Sequence, residues 1–271
     1  MYKGYIILNW EIHMNKMTKN LWDLFTVLSI LTLTIVACIG CESDKTAGSI
    51  KLAVAADFAE TAERLGDDFT DRTGIMVVVS SDSSGALVSQ IQSGAVFDAF
   101  LSADTDFPRQ LIMEGLAVPE PILYAIGKLA LYSLDLDLST DGPALLAAGT
   151  FPRLAVADPE KAPYGRAAIQ TLESLGLFDE LEETLVFGEN VGMTLELVET
   201  GDADAGFVAF PDIDSNQAGA WVVPEDMHDP IEQEAVVLSI VQDRDSVDSW
   251  MEYLVSDPAR LIIQDAGYRL P

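Results

Sequence analysis

Residues 50–85 read IKLAVAADFAETAERLGDDFTDRTGIMVVVSSDSSG, and the patterning of this stretch decides the fold. Residues 50–56 (IKLAVAA) form a strand-like apolar run. From 58 to 72, Phe58, Ala62, Leu65 and Phe69 recur at helical spacing, and Gly74 stops the pattern. Residues 75–80 (IMVVVS) are a β-branched run typical of a buried strand. A strand, a helix and a second strand are the unit from which parallel sheets are built.

The alternation continues outward from this unit. A short helix holds Leu87 and Ile91, residues 97–102 (FDAFLS) read as a strand, and 107–114 as a helix. The apolar stretch 122–134 is long enough for two strands. Strands follow at 154–157, 205–210 and 236–241, with helices at 166–175 and 194–199 and an amphipathic segment at 245–266. This order predicts an α/β protein with mostly parallel sheets flanked by helices. Two lobes fit its size better than one.

Composition sets the chemistry available. Of 271 residues, 49% are apolar and 22% charged, the balance of a folded protein. Against 44 Asp and Glu stand 15 Lys and Arg, a formal charge of -29. That excludes nucleic acid as a partner, because binding it requires a basic face that displaces counterions. It also excludes docking on anionic lipid by charge. Two histidines and two cysteines are too few for most His/Cys metal centres or for a disulfide scaffold.

The N-terminus points to export. Residues 24–40 (LFTVLSILTLTIVACIG) carry no charge and follow Lys16 and Lys19. Seventeen residues is short for a membrane span and long for a signal core. Residues 35–38 (IVAC) resemble a bacterial lipobox, which makes Cys38 the lipidation candidate, with Cys41 the second. The alternative is an uncleaved anchor. In either case residues 1–41 are a leader, 42–49 (ESDKTAGS) a polar linker, and the rest is exported to the periplasm or the outer face of the membrane.

Four turns combine helix starts with small or polar residues: Ala55-Ala56-Asp57-Phe58, the serine run 80–85, Pro163-Tyr164-Gly165 and Asn190-Val191-Gly192. Each presents free N–H groups and a helix dipole, which favour an anion. Strand-to-helix turns of one parallel sheet share an edge, so two facing edges converge on one ligand. Taken singly, Ser, Asp and Asn at such places are ordinary caps. Asp57 with Glu60 has the spacing of a capping box for a helix starting at Phe58. No GxSxG elbow, Walker loop or GxGxxG occurs, and His228 is the one histidine after the leader.

The turns and their surroundings closely resemble the periplasmic molybdate-binding proteins of ABC importers. The likeness runs through AVAADF (53–58), SSDSSG (80–85), FDAFLSAD (97–104), EGLAV (114–118), YAIGKLALYS (124–133), LAVADP (154–159), PYG (163–165), ENVGMTLELVETGDADAGFVAF (189–210) and DPARLIIQDAGY (257–268). It implies the two-lobed type II periplasmic binding fold, with lobe one at 50–125 plus 230–271 and lobe two at 126–229. It also implies a binding protein and not an enzyme, a monomer that serves an ABC permease and needs no cofactor. Molybdenum enters only as bound molybdate, or tungstate takes its place. The contacts carried over by motif are Ala56 and Asp57, Ser84 with Ser83 beside it, Tyr164, and the backbone N–H of Val191.

Two positions depart from the family pattern. Ala209 stands where some members have a tyrosine, and Tyr164 then supplies the hydroxyl. Asp57 stands where members carry Ser, Thr or Asn. Its carboxylate either caps the following helix, donates as a protonated group, or signals a different ligand. The resemblance therefore leaves sulfate, phosphate or another oxyanion as an alternative. Of a different class are an exported α/β hydrolase and a sensor lipoprotein.

Overall fold

In the first of two five-stranded sheets, β1 (Ser49–Ala55) lies between β2 (Met76–Asp82) and β3 (Ala99–Leu101), parallel to both. The computed structural model describes residues 48–213 and 219–271. The leader, Cys38, Cys41 and residues 42–47 of the linker fall outside the described residues. Both sheets belong to one compact unit. Among the described residues no helix is long and apolar enough to cross a membrane.

The first sheet is completed by β4 (Ile122–Ile126) at one edge and β10 (Glu232–Val237), which runs antiparallel between β3 and β4. Helices α1 (Ala59–Thr73), α2 (Ser84–Gln92) and α3 (Asp106–Met113) connect its strands. The second sheet has the order β7-β6-β8-β5-β9. Its strands are β5 (Leu129–Tyr132), β6 (Leu154–Ala157), β7 (Leu185–Gly188), β8 (Ala205–Ala209) and β9 (Trp221–Val222). Helices α4 (Gly142–Ala147), α5 (Pro163–Ser174), α6 (Phe178–Leu181) and α7 (Val191–Glu199) accompany it, and α8 (Arg244–Leu254) and α9 (Asp257–Asp265) close the chain on the first lobe.

Each sheet is mixed. β6 is parallel to β7 and β8, whereas β5 is antiparallel to β8 and β9. The antiparallel strands are those next to the points where the chain changes lobe. It leaves β4 at Ile126, passes through Gly127 and Lys128 into β5, and returns from Val222 to Glu232. A strand entered directly from the other lobe has no helical crossover, so it need not run parallel.

The apolar run 50–56 has the composition of a strand covered on both faces. Ile50, Leu52 and Val54 pack with Phe58, Leu65, Phe69 and Trp250, while Ala53 packs on the opposite side with Leu87, Ile91 and Phe100. Phe69 meets Trp250 edge to face, with centroids 5.4 Å apart and planes at 88°. In the second lobe Leu154 and Val156 face one cluster, and Ala155 faces Val198 and Val208 across the sheet.

Local signals shift three boundaries. α5 begins at Pro163 and α7 at Val191, each earlier than the periodicity alone suggests. Pro163 has the φ of a first helical turn and lacks an N–H that would be unpaired there. The segment 245–266 is two helices, broken before Asp257-Pro258, because proline cannot donate to the preceding turn.

Candidate binding site

Four chain segments meet at one small cavity between the lobes. From the first lobe come the end of β1 with the 3-10 turn Ala56–Phe58, and the start of α2 at Ser84 with Ser83 extended before it. From the second come the first turns of α5 and α7. The cavity is lined by Ala55, Ala56, Asp57, Ser83, Ser84, Ala103, Ala162, Pro163, Tyr164, Asn190 and Val191. All six residues singled out from the sequence, Ala56, Asp57, Ser83, Ser84, Tyr164 and Val191, are thereby brought together. The space left between these residues is about 10 Å³, roughly that of one water.

Two hydroxyls on this wall are buried without a hydrogen-bond partner, Ser83 Oγ and Tyr164 Oη. A buried hydroxyl left unpaired costs free energy, so two at one cavity mark the place of an acceptor. Ser84 Oγ accepts from the Ala103 N–H at 3.1 Å, which leaves its own O–H to aim elsewhere. The first-turn N–H groups of the helices lack intrahelical acceptors and add their dipoles. Asn190 fixes one of these ends: its side chain accepts from Met193 N at 2.9 Å as the N-cap of α7.

Tyr164 is seated by the chain crossing. A Cβ on Gly127 would lie 2.2 Å from its hydroxyl, so only glycine leaves room for the ring at this point. The surroundings hold Tyr164 neutral, since burial pushes its hydroxyl well above the usual phenol range and the nearby Asp57 charge adds to this.

Asp57 is not a helix cap. The 3-10 turn has Ala55 at its N-cap and α1 has Phe58, and neither has a side-chain capping bond. The capping box with Glu60 does not form. Instead the Asp57 carboxylate, 2% exposed, accepts from Gln233 Nε2, and Tyr268 Oη donates to the Asp57 carbonyl at 2.5 Å. Burial raises its pKa to about 6, against the pull of the hydrogen bonds. Partly buried Asp212 is also pushed well above the ordinary carboxylate range, by desolvation first and then by the charges of Asp57 and Glu60. Arg166, in the first turn of α5, pairs with Asp104 of the other lobe, and its guanidinium lies 5.6 Å from the Phe107 ring centre.

Gln233, Tyr268 and Ala103 are site or supporting residues that pattern reading missed. Asn190, in a turn singled out from the sequence, is the N-cap that such a polar residue before a helix predicts. Gln233 carried no signal, because Glu232-Gln233-Glu234 looks like solvated linker while β10 buries the middle residue.

Two α/β lobes around a small cavity lined by helix starts define an extracytoplasmic solute receptor, and the chain belongs to the bacterial extracellular solute-binding protein family, whose profile matches residues 50–269. It is 39% identical over 224 residues to the molybdate-binding protein ModA of Rhodobacter capsulatus, covering 82% of this chain and 88% of that one. Against ModA of Azotobacter vinelandii it is 37% identical over 229 residues, 83% of this chain and 91% of the relative. The solved Azotobacter vinelandii periplasmic molybdate-binding protein matches with a TM-score of 0.79 at 36% identity, over 82% of this chain and 99% of that one. The family is one of binding proteins and not of enzymes.

Proposed function

We propose that this protein captures molybdate or tungstate outside the cytoplasm and delivers it to an ABC importer. The observation that carries the reading is the pair of buried, unpartnered hydroxyls of Ser83 and Tyr164 on a cavity ringed by helix starts. A dianion taken from water needs every oxygen hydrogen-bonded, and converging N–H and O–H donors meet that need without a counter-cation. In this reading the backbone N–H groups of Ala56, Asp57 and Val191 and the hydroxyls of Ser83, Ser84 and Tyr164 bind the oxygens. Both relatives of highest identity quoted above are molybdate-binding proteins, which favours this ion over sulfate.

The same reading makes the protein a monomer whose lobes close on the ion and then present a joint surface to the permease. It is held at the outer face of the membrane by a lipid on Cys38 or Cys41. Calorimetry of the purified protein with molybdate, tungstate, sulfate and phosphate tests the assignment. Tight binding of the first two and much weaker binding of sulfate is expected. Equal affinity for sulfate would leave only a general oxyanion receptor.

A further inference from the structure

We propose that Gln233 and Tyr268 are positioning residues of the anion site, which hold the Asp57 carboxylate turned away from the cavity so that Asp57 offers the ligand its backbone N–H and not its charge. The inference rests on the oxyanion reading above. It answers a conflict in the sequence itself, in which a carboxylate occupies a turn that otherwise attracts anions.

Three observations carry it. Asp57, Gln233 and Tyr268 are 2%, 0% and 3% exposed, so none of their polar atoms is satisfied by bulk water. Gln233 Nε2 donates to Asp57 Oδ2, and Tyr268 Oη donates to the Asp57 carbonyl at 2.5 Å while lying 3.3 Å from Oδ2. Asp57 lines the cavity, whereas Gln233 and Tyr268 do not. Gln233 and Tyr268 therefore hold Oδ2 from behind the wall, while Tyr164, on the wall itself, is a further polar neighbour of the carboxylate.

Both partners sit on rigid supports. Gln233 is on β10, paired with Ala125 of β4, and the chain has just returned from the second lobe there. Tyr268 follows α9 and packs its ring edge on Phe58, with centroids 5.1 Å apart. Phe58 in turn meets Tyr124 at 4.7 Å. One tyrosine thus fixes the carbonyl of Asp57, and with it the peptide plane that follows, while the amide fixes the side chain. An amide is suited to this task because it donates to the carboxylate without adding a second charge near the anion.

Titration calorimetry with sodium molybdate on wild type, Gln233→Leu, Tyr268→Phe, Asp57→Asn and the double variant Gln233→Leu/Asp57→Asn tests the assignment. Releasing the carboxylate in Gln233→Leu is expected to weaken binding about tenfold or more, and Tyr268→Phe to weaken it less. Asp57→Asn, which keeps the backbone N–H and loses the charge, is expected to bind tighter than wild type. The double variant is expected to recover most of the loss, because no charge is left to restrain. Affinity of Gln233→Leu within about twofold of wild type overturns the proposal. So does a double variant as weak as Gln233→Leu, which would show that Gln233 acts only by packing. Should Gln233→Leu fail to fold in a thermal melt, the pair Tyr268→Phe and Tyr268→Phe/Asp57→Asn takes the same comparison. A wild type that binds neither molybdate, tungstate nor sulfate fails at the first arm and overturns the oxyanion reading itself.

Discussion

Gly85 donates its backbone N–H to the carbonyl of Lys161 at 2.9 Å, and this single bond ties the first turn of α2 in one lobe to the loop before α5 in the other. A Cβ at Gly85 would meet Lys161 Cα at 3.0 Å and its carbonyl oxygen at 3.1 Å. The two backbones approach this closely because residue 85 has no side chain. The bond lies beside Ser84, so the contact between the lobes and the cavity wall share this turn.

Gly85→Ala is accordingly expected to hold the lobes apart. Each lobe keeps its own core, so the melting temperature of the ligand-free protein should hardly move. Molybdate affinity should fall by about tenfold or more, since the bound geometry becomes a minor state. Unchanged affinity by calorimetry would show that the Gly85–Lys161 contact is incidental to closure.

The donor hydroxyls weigh differently on stability and on binding. Tyr164→Phe deletes a buried hydroxyl whose polar neighbour is the Asp57 carboxylate, so stability should change little. Affinity should drop by about 1–3 kcal/mol if the hydroxyl meets an oxygen of the ligand. Ser84→Ala should weaken binding by roughly 1–3 kcal/mol and also leave the Ala103 N–H without its acceptor, so some stability is lost too. Denaturant melts beside calorimetry separate the two effects.

Arg166→Ala removes the guanidinium that pairs across the lobes with Asp104 Oδ2. Asp104 keeps Ser102 Oγ at 3.0 Å and the Phe107 N–H at 3.1 Å on its other oxygen, so it is not stranded. The arginine is partly exposed, which limits the pair to about 1 kcal/mol or less. The expected result is a few-fold faster release of ligand in stopped flow, with little change in the rate of capture. Added salt should shrink the difference between variant and wild type.

Asp57 gives stability a defined dependence on pH. Its carboxyl moves from an ordinary 3.8 to about 6 on folding, chiefly through burial. Between those values the folded protein holds a proton that the unfolded chain has already released. Stability contributed by this group is therefore full below about pH 4 and falls as pH rises toward 6. Two units correspond to roughly 3 kcal/mol as an upper figure. Asp57→Asn lacks the titration, so its stability relative to wild type should grow across that window in melts at pH 4 and pH 6.5. Parallel curves would show that the carboxyl ionises in the folded protein as it does in water.

The elements of the first lobe were legible because their signals are local. Apolar runs marked β1 and β2, although β2 is an edge strand whose Met76 and Val78 are exposed where the run suggested burial. The spacing of Ala62, Leu65 and Phe69 made α1, and Gly74 with φ 76° ended it. Two of the helix starts were legible for the same reason, since Pro163 and Asn190 act on the turns they occupy.

Asp57 shows where local reading ends. In sequence it has the look of a cap, with Glu60 three residues on. In the folded chain its carboxylate is claimed by Gln233, 176 residues away, and its carbonyl by Tyr268, 211 residues away. The Arg166–Asp104 pair spans 62 residues, and the Gly85–Lys161 bond joins turns of different lobes. Sequence alone determined which turns present donors, because capping and helix dipoles are properties of a few adjacent residues. Only the tertiary structure decided which side chains face the anion and which are held from it, because burial removes water as a partner and leaves the choice to groups that the fold brings from far along the chain.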